Sequence, residues 1–256
     1  MITLVLLIEY DGTNYSGWQI QPNALSVQET IEKVWFKLTN KTVRLIGSGR
    51  TDAGVHSRGQ VASAELDEVI IPEEKLKIAL NSALPEDIRI LNAFYLYEKF
   101  NARYDAKSRV YQYFIGWNID VFSRFYITKS KRELNIEKLQ ESANLFIGKH
   151  DFTTFSKFNP DIRNNICIVT KSIWEQINNE TLRYTIEANH FLYGMVRGLV
   201  GAMMDYEREK YDLNYLKDCL NTPDRSKYIY FAPPTGLFLT KVKYGEKIDK
   251  LLTKIQ

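Results

Sequence analysis

Apolar and polar positions alternate along the chain in a way that marks out short, distinct elements. Residues 1–10, rich in β-branched and other apolar side chains, predict a strand. Asp11-Gly12-Thr13-Asn14 follows as a turn. Ser26-Val27-Gln28-Glu29 has the form of a capping box, and Val27, Ile31, Val34, Trp35 and Leu38 then recur on one helical face. Val43–Ile46 and Val61–Leu66 predict strands on either side of a glycine-rich loop, Gly47–Gly59. Pro72 opens a second helix with Leu76, Ala79, Leu80 and Ala83 on one side, and Ile88–Tyr97 predicts another strand. The order β-α-β-β-α-β is that of the split βαβ, or ferredoxin-like, unit.

The second half repeats this order. Val110–Trp117 predicts a strand. Asn135 caps a helix carrying Ile136, Leu139, Ala143 and Phe146, and Gly148 stops it. Ile166–Ile177 and Leu182–Ala188 predict paired strands about the turn Asn178-Asn179-Glu180. Phe191–Met204 is apolar nearly all round and predicts a buried helix. A short helix about Tyr215–Leu220 and a final strand, Leu237–Tyr244, complete the set. The expected fold is α+β: two βαββαβ halves, residues 1–104 and 105–256, forming a wide, mostly antiparallel sheet with helices on one face. The other face suits a central RNA-binding cleft, since RNA-recognition modules of this topology read RNA on an open sheet.

Composition narrows the class. Of 256 residues, 45% are hydrophobic and 25% charged, as in ordinary globular proteins. No apolar run approaches the length that spans a bilayer. The N-terminal segment has no basic lead-in and contains Glu9, so it reads as a strand rather than a signal peptide. Cys167 and Cys219 form no Cys-x-x-Cys pair, and His56, His150 and His190 are scattered, so a reducing cytoplasm and no metal are expected. The net charge of +3 is only mildly basic, but Lys99, Arg103, Lys107 and Arg109 interleave with Tyr97, Phe100, Tyr104, Tyr111 and Tyr113. Such a mixture suits a polyanion whose bases stack; a solvated strand edge is the plainer reading.

Two features carry chemistry. In Gly47-Ser48-Gly49-Arg50-Thr51-Asp52-Ala53-Gly54-Val55-His56, Asp52 lies in a loop whose glycines allow unusual backbone conformations and close ligand approach. A plain turn in which the aspartate bonds its own backbone is the alternative. Arg197 lies in the apolar run Phe191–Gly201, where a guanidinium is costly unless paired. Asp52 is the favoured partner, and a neighbouring arginine would keep that carboxylate ionised. A structural pair with another acid, or an arginine reaching water, would also satisfy the pattern.

Gly49-Arg50-Thr51-Asp52-Ala53-Gly54-Val55-His56 resembles the signature of the tRNA pseudouridine synthase A family. Further segments resemble it in the same order: Tyr10-Asp11-Gly12-Thr13 with Gly17-Trp18-Gln19, Gly59-Gln60-Val61, Phe100-Asn101-Ala102-Arg103, Tyr111-Gln112-Tyr113, His150-Asp151-Phe152, Phe191–Gly201, and Ala232-Pro233-Pro234 with Gly236-Leu237. The resemblance implies the pseudouridine synthase fold and isomerisation of uridine to pseudouridine in the tRNA anticodon stem-loop, at positions 38 to 40, by a cytoplasmic homodimer without cofactor. It implies Asp52 as the essential carboxylate on a flipped-out nucleotide and Arg50 in displacing that nucleotide. Tyr111 would stack on the uracil, Arg197 would pair with Asp52 and Leu237 would lie against the base, with Gly49 and Thr51 beside the substrate. His56 is expected to hold the loop, His190 to cap or pack, and Trp18, Trp35 and both cysteines to be core.

The sequence departs from the family pattern at Asn101, Gly194, Gly198 and Ser226–Phe231, which bears on RNA contacts and on the positions modified. These departures motivate a second reading, a non-catalytic RNA-binding or tRNA-folding protein. Intact Asp52, Tyr111 and Arg197 oppose it. A hydrolytic glycosidase is disfavoured because no second acid stands at a suitable spacing.

Overall fold

Strand β1, Ile2–Tyr10, is the axis of the first half. It pairs antiparallel with β3, His56–Leu66 (Leu4 opposite Ala64, Leu6 opposite Ala62), and on its other edge with β4, Ile88–Leu96. The fold is taken from a computed structural model that describes residues 1–160 and 164–253. Two compact units emerge: Met1–Lys107 with the chain from Leu239 onward, and Ser108–Phe238. In the first, the order is β4-β1-β3-β10, where β10 is Leu237–Lys243, and β2, Ile46–Gly47, also pairs with β3. Helices α1, Val27–Thr39, and α2, Glu73–Ala83, join the strands in one core built from Ile31, Trp35, Leu76, Leu80 and the inward residues of β1 and β4. Each such side chain contributes about 1.5–3 kcal/mol by leaving water.

The expected βαββαβ order of the first half is observed, with four adjustments. Ser26 caps α1 by accepting from Glu29 N–H at 3.3 Å, but Leu38 ends up exposed. Of the expected strand at Val43–Ile46 only Ile46 is paired, in the two-residue β2 it forms with Gly47. The reason lies in α1: Glu32 Oε1 accepts the Leu45 N–H at 2.9 Å, and Gln28 Nε2 donates to the Leu45 carbonyl at 2.9 Å. Those side chains occupy the groups a ladder would use. The glycine-rich loop is also shorter than expected, because His56–Gly59 already belongs to β3. Lastly, α6, Glu246–Thr253, was not expected; Asp249 accepts from the N–H groups of Tyr244 and Gly245, and Asn92 donates to the Leu251 carbonyl.

The second unit runs β5-β9-β8-β7, all antiparallel: β5 is Ser108–Gly116, β7 Gly148–Asp151, β8 Ile166–Asn178 and β9 Thr181–Ala188. A two-residue strand, β6, Thr128–Lys129, pairs parallel with β5. Helix α3, Ile136–Asn144, is capped by Asn135 as expected but stops before Gly148. Gly148 instead takes φ +114° and opens β7, a strand absent from the expected order. Helix α4, Met195–Glu207, starts later than the apolar run suggests, because Gly194 sits at φ +69° and turns the chain before the first helical residue. Helix α5, Leu213–Asn221, follows.

Candidate active site

The loop Ser48–Val55 runs from β2 into β3, and its backbone is held from several sides. Ser48 N–H donates to Val61 O at 2.8 Å and its hydroxyl to Gln60 Oε1 at 2.6 Å; Gln60 Nε2 donates to Gly49 O at 2.8 Å. Trp18 N–H donates to Thr51 O at 3.2 Å, and the hydroxyls of Tyr10 and Thr51 share a hydrogen bond of 2.8 Å. Val55 N–H donates to Asp52 O at 3.1 Å, closing a turn in which Gly54 takes φ +75°, a left-handed conformation suited to glycine. Gly54 N–H in turn donates to Tyr15 O at 3.2 Å.

Segment 11–19 is the support that sequence reasoning did not assign. A Cβ at Gly12 would lie 2.0 Å from Val55 O, and one at Gly17, which has φ +93°, would lie 2.4 Å from Thr51 O. The bare backbones of these two glycines therefore form the surface on which the Asp52 loop rests. Gly47 leaves room for Trp18, whose Nε1 would be 2.4 Å from a Cβ there. Gly49, expected to supply conformational freedom, has open space around it and no positive φ.

The loop alternates in exposure. Thr51, Val55 and His56 are buried, Arg50 and Ala53 are exposed, and Asp52 is half-buried. An aspartate on a pinned backbone, with its side chain only partly covered, is what a general base or nucleophile needs: fixed position with access. His56 Nδ1 lies 3.1 Å from Gly12 N–H and 3.0 Å from Asp11 Oδ1. Neutral Nδ1 accepts from Gly12, and protonated Nδ1 donates to Asp11; either way the histidine ties segment 11–19 to the base of the loop. Burial raises the pKa of the Tyr10 phenol far above its ordinary value, so it remains a neutral partner for Thr51.

In the second unit, Tyr111 is buried on β5 opposite Ile186, its ring edge-to-face with Phe191 at 5.0 Å and 79°. Arg197 lies in the first turn of α4 and is half-buried. Its Nε donates to Ala232 O at 2.7 Å, and Ala232 N–H donates to Arg197 O at 3.0 Å. A backbone carbonyl thus satisfies one guanidinium donor, a partner the sequence reading does not name. Burial also raises the pKa of the Tyr113 phenol; the positive charge of Arg197 is a minor, opposing influence. Leu237 is buried at the start of β10, after a 3-10 turn at Pro234–Gly236.

The remaining expectations concern supporting residues. Trp18, Trp35, Cys167 and Cys219 are buried. His190 Nε2 lies 3.5 Å from Cys167 Sγ, in a packing role. No cluster of three or more His, Cys, Asp or Glu side chains among the described residues is placed to hold a metal ion. No helix among them is long and apolar enough to cross a membrane.

Known proteins resemble this chain along most of its length. A family model described as tRNA pseudouridine synthase matches residues 6–105 and 142–245. The tRNA pseudouridine synthase A of Thermoanaerobacter sp. (strain X514) is 40% identical over 247 residues, covering 95% of this chain and 100% of the relative. That of Bacteroides fragilis is 35% identical over 243 residues, covering 95% and 96%, and tRNA pseudouridine synthase A 2 of Clostridium perfringens is 37% identical over 246 residues, covering 95% and 100%. With the loop that carries Asp52 inside the first matched segment, and Arg197 and Leu237 inside the second, the chain belongs to the tRNA pseudouridine synthase family, a family of isomerases.

Proposed function

We propose that this protein converts uridine to pseudouridine in the anticodon stem-loop of tRNA, at positions 38 to 40, with Asp52 as the essential carboxylate. The observation that carries the reading is the Asp52 loop: its neighbour Thr51 is clamped by Tyr10 and Trp18, while Asp52 itself stays partly accessible. The reaction breaks the bond from the ribose anomeric carbon to N1 of uracil, turns the base and forms a bond from the same carbon to C5. C5 loses a proton and N1 gains one, so no redox partner and no hydrolytic water are consumed.

A uridine inside a stem must leave the stack before any carboxylate reaches it, at a cost of roughly a few kcal/mol. Arg50, exposed beside Asp52, is assigned to displacing the nucleotide, and Gly49 and Thr51 are assigned beside the substrate. Tyr111 is assigned to stack on the uracil, which offsets roughly 1–3 kcal/mol of the unstacking, and Leu237 to lie against the base. Arg197 is assigned as the ion-pair partner of Asp52. The protein acts in the cytoplasm as a homodimer on this reading.

The test is to incubate purified protein with unmodified tRNA transcript and map pseudouridine. Wild type should convert the target uridines, and Asp52→Ala should convert none. Tight tRNA binding by wild type without conversion would instead favour the RNA-binding reading, and release of free uracil the glycosidase.

A further inference from the structure

Gly194 and Gly198, at the start of α4, both lie beside the ring of Phe231. A Cβ at Gly194 would lie 3.2 Å from Phe231 Cε1, and a Cβ at Gly198 would lie 3.3 Å from the same atom. The phenyl ring fills the space beside Gly194, while at Gly198 the Phe155 carbonyl oxygen, 2.2 Å from such a Cβ, is the nearer neighbour. It does not stand alone. Lys157 Nζ lies 5.6 Å from the Phe231 ring centre and 5.2 Å from that of Tyr193, and Lys157 N–H donates to Tyr193 O at 2.8 Å. The next residue, Phe158, is 68% exposed, with the Arg225 guanidinium 5.5 Å from its ring centre; Tyr193 is 47% exposed.

Exposed rings with cations already seated on them select a particular ligand. Large apolar rings in water are unfavourable unless something covers them. Among the described residues, the partners of Lys157 and Arg225 are rings rather than carboxylates. Asp224, next to Arg225 in the chain, is turned to Ser226, accepting from its N–H and hydroxyl. A ligand that is both planar and anionic fits both properties: single-stranded nucleic acid, with bases for the rings and phosphates for the cations.

We infer that Lys157, Phe158, Tyr193, Arg225 and Phe231 form a platform that binds an unpaired stretch of the RNA substrate. Bases stack on Tyr193 and Phe158, and phosphates approach Lys157 and Arg225. This rests on the reading that the substrate is tRNA. The platform contains none of the residues assigned to catalysis, so it sets which RNA is held rather than what is done to it.

The experiment measures the affinity of full-length protein for unmodified tRNA at several salt concentrations, in wild type and in the Asp52→Asn background. Phe158→Ala and Tyr193→Ala should each weaken binding by about 5- to 100-fold, and Tyr193→Trp should restore it. Lys157→Gln should weaken binding and reduce the slope of log affinity against log salt by about 1. These side chains are exposed or peripheral, and unfolding midpoints report whether any variant is misfolded. Conversion plays no part in the readout, so a wild type that binds but does not isomerise refutes the proposed function and leaves the platform standing. Wild-type affinity and salt slope in all three weakening variants would overturn the inference. So would a change of subunit mass by light scattering with RNA affinity unchanged, which would make this face a contact between two copies of the chain.

Discussion

The Tyr10 hydroxyl lies 2.8 Å from Thr51 Oγ1, and both groups are buried. Thr51 stands between the exposed Arg50 and the half-buried Asp52, so this bond fixes the pivot from which both project. Tyr10→Phe leaves the Thr51 hydroxyl buried without that partner. The expected cost is about 1–2 kcal/mol of stability, with a fall in kcat larger than the rise in KM for tRNA. Urea unfolding and steady-state kinetics check it; a variant with wild-type kcat would remove Tyr10 from the positioning of the loop.

Glycine-to-alanine substitutions should sort by what the new methyl meets. Gly198→Ala improves helix propensity by up to about 1 kcal/mol, but its Cβ would lie 2.2 Å from Phe155 O. Backbone does not yield as a flexible side chain does, so net destabilisation of about 1–3 kcal/mol is expected. Gly17→Ala meets Thr51 O at 2.4 Å with an unfavourable φ besides, and should also displace the loop and abolish conversion. Gly49→Ala meets nothing within 4 Å and should leave stability within about 0.5 kcal/mol of wild type. Equal unfolding free energies for all three would contradict the steric account.

His190 gives a pH dependence with a definite sign. Burial first, and then the charge of Arg109, lower its pKa below the ordinary 6.5. The folded protein therefore binds fewer protons than the unfolded chain between the depressed value and 6.5, and stability is lost as pH falls through that window. His190→Gln should flatten this part of the stability profile and change little above about pH 7. Parallel profiles for wild type and variant would exclude the histidine as the source.

Glu207 is a buried acid at the end of α4 that receives Arg132 Nη1 and Nη2 at 2.9 Å each and Asn135 N–H at 3.0 Å. Arg132→Met should cost about 1–3 kcal/mol, discounted from a fully buried pair because the arginine is half in water. The loss should shrink in the double variant with Glu207→Gln, where the buried carboxylate is gone. An equal loss with and without Glu207→Gln would assign the effect to the packing of the arginine stem instead.

Much of the fold was legible because its elements state themselves locally. Ser26, Asn135 and the Ile31–Trp35 face act within one helix, and β8 and β9 are joined by a turn spelled out in three residues. What sequence reading missed depends on contacts distant along the chain. Val43–Leu45 has strand composition, yet Glu32 and Gln28 claim the Leu45 backbone from a neighbouring helix. Gly194 belongs to an apolar helical pattern, yet its φ of +69° delays the helix. At the candidate site, Asp52 and Arg50 stood out by their loop, but the role of Gly12 and Gly17 could not be read from spacing, since their partners Val55 and Thr51 lie more than 30 positions away.

The return of the chain from Leu239 onward to the first unit has a consequence for biosynthesis. Ser57 donates to Leu239 O, a Cβ at Gly59 would press on Thr240 O, and Tyr244 donates to Ala102 O, so β3 and the end of the first unit acquire these neighbours only from residues translated well over 100 positions later. Ser108–Phe238 is continuous in sequence and has no such wait. On the ribosome, the unit bearing the Asp52 loop is begun first and finished second, and its sheet edge stays uncovered until β10 emerges.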